Sequence, residues 1–269
     1  MKTKRGVKIL DPVWPNAGLE AHFRRKLLKW VDAMNKSVQF WLKQTYRTNP
    51  PRIAQDESPA DALRRTIKKL GKRWQKQFDQ LAPELADYFA QAMKDRSDAQ
   101  LMAILRRGGF SVRFKMTAAM RDIMDATIHE QVNLIKSIPQ EYLKSVEGVV
   151  MRGVQTGRDL GQVSRDLQDT FGVTRRRAAL IARDQNNKAT ASMTRARQTE
   201  LGIKKAIWLH SHGGKTPRPT HLANDGKEYD VAKGWFDPDA DGKGRGRWIF
   251  PGELINCRCV SRSVVKGFS

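Results

Sequence analysis

Cys257 and Cys259 are the only thiols in the chain and stand one residue apart near its C-terminal end. A thiolate is both a soft metal ligand and a nucleophile. In an extended segment, residues two apart point to the same side, so both sulfurs would face one pocket. His221 then completes a set of soft ligands for zinc, with His210, His212 or Asp225 as candidates for a fourth. The Cys-x-Cys spacing is tighter than the usual spacing of structural zinc pairs. The default expectation is therefore that no cofactor is held: both cysteines pack as small apolar groups and His221 donates a hydrogen bond. A bridge between the two would close a small, strained ring, so the thiols are expected to be reduced.

A second group lies upstream, in Ile181-Ala182-Arg183-Asp184-Gln185-Asn186-Asn187-Lys188. Arg183 and Asp184 fall in the middle of a helical stretch, with Asn187 one turn on. Polar side chains placed so usually bond to neighbouring loops. They are expected to clamp either the Arg218-Pro219-Thr220-His221 turn or the Cys257-Arg258-Cys259 segment, with Arg258 a candidate partner for Asp184. Arg183, Asp184, Asn187, Arg218 and Arg258 are thus read as a structural network, and no residue is assigned to catalysis. The alternative enzyme reading is a metal-dependent nuclease using His210, His212, His221, Asn224 and Asp225. No histidine follows His221, which makes a two-histidine arrangement unusual. Gly213-Gly214-Lys215-Thr216 lacks the first glycine of a phosphate-binding loop and runs into Pro217. Asp237-Pro238-Asp239-Ala240-Asp241-Gly242 begins like a calcium loop but has no late glutamate at the required place, and reads as a turn.

These groups must be positioned by a largely helical chain. After an irregular arm of about 18 residues, Phe23, Leu27, Trp30, Met34, Val38 and Trp41 recur at helical spacing. Asn49-Pro50-Pro51 ends that helix. Ser58-Pro59 reads as an N-cap with proline at the first helical position. Leu63, Ile67, Leu70, Trp74, Phe78 and Leu81 form the next stripe. Pro83 is expected to break or restart it, and Gly108-Gly109 to end it. The two helices are expected to pair antiparallel, with their aromatic residues as core and not as stacking platforms for bases. Helices are further expected over Thr117–Ile135 with a break at Pro139, over Gln140–Val154 with a stop at Gly157, and from Leu160 to a stop at Gly172. A longer one, capped by Thr174, should end at Gly202. Beyond Gly202 the sequence turns to short strands, at Ala206–Leu209, Lys227–Tyr229, Arg247–Phe250 and Arg258–Val265. The expected fold is α+β and predominantly α-helical: an N-terminal helical arm over 1–109, a helical stalk over 110–172 and a small mixed α+β head over 173–269.

The chain has 50 Lys and Arg against 28 Asp and Glu, a formal net charge of +22. Such an excess points to a polyanionic neighbour. Because the basic residues are spread along the sequence, a broad electrostatic contact is expected and not a compact base-reading module. Two cysteines exclude a disulfide framework. No run of about twenty apolar residues offers a membrane span, and the basic N-terminus lacks a signal-peptide core.

In order and spacing, the Asn133–Pro139 segment, the Arg183-Asp184-Gln185 helix, Trp208, Arg218–His221, Asp225-Gly226-Lys227 and Pro251-Gly252 followed by Cys257-Arg258-Cys259 resemble the phage Mu protein F-like family of minor head proteins. The resemblance is confined to residues after about 130. Many members carry Thr-Glu where this chain has Asp184-Gln185, which argues against a mechanism needing a carboxylate at position 185. The resemblance implies a head morphogenesis protein found in the virion, assembled in the host cytoplasm. Its implied partners are the portal protein or the major capsid protein, together with packaged double-stranded DNA. Some relatives are fused to toxin or enzyme domains. With the sequence ending just after the Cys-Arg-Cys element, none is expected here. The alternative is a general DNA-binding protein without a virion role.

Overall fold

Helical spacing of apolar residues produces four long helices among the described residues. A computed structural model describes residues 6–48, 59–156, 160–214 and 216–266. Helix α1 (Ala17–Thr48) buries Phe23, Leu27, Val31, Met34, Val38 and Leu42, a strict 3–4 repeat. The Asn16 carboxamide oxygen accepts the Leu19 N–H and caps its start. Trp41, expected on this face, is exposed, because Leu42 keeps the 3.6-residue period and Trp41 falls beside it.

Helix α2 (Pro59–Arg107) runs unbroken through Pro83. Proline removes one backbone donor and frees a carbonyl one turn earlier. Position 83 is exposed, so water can satisfy that carbonyl while Ala82, Leu85, Ala86 and Phe89 continue the buried face. Gly108 and Gly109 end the helix as expected. Phe110 N–H reaches the Leu105 carbonyl and Gly109 N–H that of Arg106, and Gly109 has φ +87°, the left-handed cap that glycine adopts freely.

Helix α3 (Ala118–Gln155) is likewise continuous through Pro139. Side chains bond the carbonyls on either side of the one it frees: Ser137 Oγ donates to the Leu134 carbonyl and Gln75 Nε2 approaches that of Lys136 at 3.5 Å. Helix α4 (Leu160–Glu200) passes through Gly172, and Thr174 is not a cap. Its hydroxyl donates back to the Thr170 carbonyl within the helix. A glycine in a helix costs only about 1 kcal/mol relative to alanine, which burial of Val163, Leu167, Ala178 and Ile181 outweighs. The expected signals at Asn49-Pro50-Pro51, Ser58 and Gly157 lie outside the described residues.

The chain divides into two compact units. One comprises Ala21–Asp87 and His129–Ala182. Within it α1 and α2 run antiparallel: Trp30 meets Phe78 edge-on at 6.2 Å, and further along α1 Thr45 bonds Thr66 at 2.9 Å. Tyr142 Oη donates to buried Asn35 at 2.7 Å, and Arg175 pairs with Asp32.

The other unit comprises Met1–Glu20, Tyr88–Ile128 and Arg183–Ser269. It holds strands β1 (Val7–Ile9), β2 (Lys205–Leu209), β3 (Glu228–Asp230), β4 (Trp235–Asp237), β5 (Arg247–Ile249) and β6 (Val260–Lys266), and the short helix α5 (Pro219–Ala223). One antiparallel sheet has the order β1-β6-β2-β3, and β4 and β5 form a ribbon. β1, β4 and α5 are additions to the elements expected from the sequence. Trp208 on β2 is fully buried among Ile203, Tyr229, Ile249, Leu254, Cys257 and Cys259. The fold is thus predominantly α-helical with a small antiparallel α+β portion at the C-terminal end. No helix among the described residues is long and apolar enough to cross a membrane.

Candidate functional site

The site is built by four segments of the second unit. Pro219 occupies the first turn of α5, where its missing N–H costs nothing, and the helix buries His221 to 2 % exposure. β4 ends on Asp237, which has no exposed surface. Cys257 and Cys259 lie in the extended stretch just before β6, not on the strand itself. They still face one pocket: Cys257 Sγ is 3.5 Å and Cys259 Sγ 3.7 Å from His221 Nδ1. The three ligand atoms all lie within 4.8 Å of one another.

The other face of the imidazole is fixed too. His221 Nε2 is 3.3 Å from Asp237 Oδ2, an electrostatic contact whose alignment falls short of a good hydrogen bond. Thr220 Oγ1 donates to the same carboxylate oxygen at 3.2 Å, and Asp239 N–H donates to Oδ1 at 3.0 Å. The Trp208 ring stands edge-on to His221 at 5.1 Å. The two thiols perturb one another in opposite directions. Hydrogen bonding from Cys259 brings the Cys257 thiol down to about 4, against the opposing effect of burial and with help from His221. The same bond, with burial, pushes Cys259 well up.

Helix α4 holds the cysteine segment. Asp184 accepts the Asn256 N–H, Arg183 Nη2 donates to Asn256 Oδ1 at 2.9 Å, and Asn187 Nδ2 donates to the Cys257 carbonyl at 3.2 Å. Arg258 does not pair with Asp184: it donates to the Gly213 carbonyl at 2.6 Å, while Asp184 pairs with Lys188 at 3.2 Å. The extended stretch aims Arg258 away from α4, so the acid takes the lysine one helical turn along. Arg218 donates to the Ile255 carbonyl at 3.0 Å. The five polar residues thus all reach loops around the cysteines, but as three separate clamps. Gly252, φ +83°, lets the Pro251-Gly252 turn lie directly on α4, where a Cβ would stand 2.7 Å from that of Ala191.

A cleft of about 660 Å³ opens over His221 and both cysteines, rimmed by Arg183, Arg218 and Arg258. His210 lines it too, but belongs to a separate network. Its N–H donates to Asp225 Oδ1 at 2.8 Å, its Nδ1 accepts the His212 N–H at 3.1 Å, and His212 Nε2 meets Asp225 Oδ2 at 2.9 Å. In the Asp237–Gly242 loop, Asp239 and Asp241 accept backbone N–H groups of Gly244, Lys243 and Arg245, so these carboxylates are spent on their own turn. Asp237 was missed as part of the site. It is 16 positions from His221 in a different element, and only its place in an aspartate-rich turn sets it apart in the sequence.

Residues 144–262 match the family described as Phage Mu protein F like protein, the stretch that carries every residue of this site. This bears out the family resemblance over that stretch. A protein of Haemophilus influenzae described as uncharacterized is 27% identical over 269 residues, covering 97% of this chain and 57% of its own length. A protein of Enterococcus faecalis named NAD(+)--arginine ADP-ribosyltransferase EFV is 28% identical over 134 residues, 48% of this chain and 27% of its own length. The chain therefore spans little more than half of the first relative and about a quarter of the second. No solved structure matches.

Proposed function

We propose, from a C-terminal stretch that matches the phage Mu protein F-like family, that this protein is a non-catalytic minor head protein. In this reading it binds the portal protein or the major capsid protein inside the head and touches packaged double-stranded DNA. The observation that carries the reading is the match over residues 144–262. The site's hydrogen bonding supports binding over turnover. Asp184 and Asn187 are committed to backbone groups, and Asp225 to His210 and His212, so the polar side chains organise loops and are not poised around a reacting atom.

The DNA contact is supported by the charge excess and by its display. Arg24, Arg25, Lys26 and Lys29 on α1 and Lys68, Lys69, Lys72, Arg73 and Lys76 on α2 are all exposed cations at the helix surfaces. Rows of cations on rigid helices suit phosphate contact without base reading. The Enterococcus faecalis relative is named for an enzymatic activity, but this chain covers only 27% of it. That supports reading the shared part as a module carried beside another activity.

Pull-down of portal protein by the purified chain at about 0.15 M and 0.5 M salt, where screening differs strongly, with and without nuclease, tests the reading. Retention after nuclease at the higher salt is the expected result. Loss under either treatment would reduce the protein to a polyanion binder.

A further inference from the structure

The His221, Cys257 and Cys259 side chains are arranged as a ligand set. Zinc bonds to thiolate sulfur at about 2.3 Å and to imidazole nitrogen at about 2.05 Å, so a tetrahedral site has sulfur–nitrogen edges of roughly 3.6 Å. The two observed edges, 3.5 and 3.7 Å, bracket that value. We propose that His221 Nδ1, Cys257 Sγ and Cys259 Sγ bind a zinc ion whose fourth position opens to the cleft.

Three further features support the assignment. A metal-bound imidazole commonly directs its other N–H at a carboxylate, which fixes ring and tautomer. Asp237, fully buried and held by Thr220 and the Asp239 N–H, stands 3.3 Å from Nε2, near enough to take that role. Simple core packing gives no reason to bury a carboxylate against a histidine. Charge closes as well: two thiolates balance a divalent cation, and binding releases the thiol protons. Lastly, thiolate and imidazole donors in a tetrahedral frame select zinc among the common divalent ions.

His210 is not the fourth ligand. Its Nδ1 lone pair already accepts the His212 N–H, which leaves the proton of a neutral ring on Nε2. The fourth position therefore falls to water or another small donor from the cleft.

The chain's two cysteines make the test clean. The whole chain is purified under reducing conditions, stripped with a chelator and titrated with Co(II), then with Zn(II). Tetrahedral d–d bands with a thiolate-to-cobalt charge-transfer band, saturating at one ion per chain and bleached by one equivalent of zinc, are expected. His210→Ala should bind as the parent does. Asp237→Asn should bind zinc about 10- to 100-fold more weakly. Cys257→Ser and His221→Ala should each lose the tetrahedral spectrum. The parent spectrum decides the matter if those variants do not fold. Absence of the cobalt bands from parent protein with both thiols reduced and native circular dichroism would overturn the proposal. So would undiminished binding in a folded His221→Ala, or loss of binding in His210→Ala.

Discussion

Asp184, in α4, accepts the backbone N–H of Asn256, a residue held at φ +61°. A helix carboxylate thus secures the non-glycine turn residue that leads directly into the cysteine pair. Asparagine tolerates this conformation better than most residues, and Arg183 holds its side chain from the same helix.

Removing that carboxylate leaves the Asn256 N–H without its acceptor. Asp184→Ala is expected to lower stability by about 1–3 kcal/mol, and Asp184→Asn, which keeps an acceptor, by less. Urea denaturation of the two variants beside the parent measures this. Equal midpoints for all three would show that the bond contributes nothing.

Arg197 and Asp98 form a buried bidentate pair, both nitrogen–oxygen distances 2.8 Å, with Arg197 only 2 % exposed. The guanidinium also donates to the Lys115 carbonyl and Glu200, and lies over the Phe114 ring at 4.6 Å. Arg197→Met should cost about 3–5 kcal/mol by breaking a buried pair and leaving Asp98 only the longer contact with Lys94. Arg197→Lys should fail to restore the pair because the planar fork is lost. Adding Asp98→Asn to Arg197→Met should recover part of the deficit in a double-mutant cycle. Purely additive losses would contradict the pairing.

Gly252→Ala is expected to destabilise the C-terminal unit by more than about 1 kcal/mol, from backbone strain at positive φ together with the 2.7 Å approach to Ala191. Ala191→Gly in the same chain should relieve the clash but not the strain, so partial rescue of the melting temperature is the expected pattern. Full rescue would remove strain from the account.

Burial opposes ionisation of Asp225, yet the His210 N–H and the His212 ring hold its carboxyl below the ordinary value. A depressed folded-state value means stability that is present above the unfolded value of about 3.9 and is lost as pH falls through the folded one. The melting-temperature gap between parent and Asp225→Asn should therefore be widest well above pH of about 4 and close on acidification. A gap that widens toward acid would reverse the sign.

If α2 meets DNA, replacing Lys68, Lys69, Lys72 and Lys76 by glutamine should weaken binding. The slope of log affinity against log salt should flatten by about 0.9 for each phosphate no longer neutralised. Fluorescence anisotropy with duplexes of two unrelated sequences should show the same weakening for both. Weakening confined to one sequence would point to base reading.

The apolar faces of α1 and α2 were legible because burial on a helix obeys one period, and the glycine stops at Gly109 and Gly202 because left-handed caps need that residue. The continuity of α2, α3 and α4 was not. Pro83, Pro139 and Gly172 are local signals, and long-range burial on either side overrode them. β1 is illegible because three residues carry almost no pattern, and its pairing with Val264–Lys266 is purely tertiary. At the site, the Cys-x-Cys spacing announced a shared pocket and His221 was named with it. Asp237 was hidden because nothing in the sequence records which residue the far side of an imidazole will meet.

The pairing of β1 with β6 also constrains the order of events during synthesis. Arg262 reaches the Leu10 carbonyl across 252 positions of sequence, and β6 is the inner strand against which both β1 and β2 assemble. On the ribosome, Val7–Ile9 has no sheet partner until β6 emerges. The long helices, whose backbone hydrogen bonds are local, can form well before then, whereas closure of so long a loop delays the sheet. Nascent chains stalled before residue 260 should therefore hold helices but an unsealed sheet, so that the cysteine pocket matures only after the helical framework is in place.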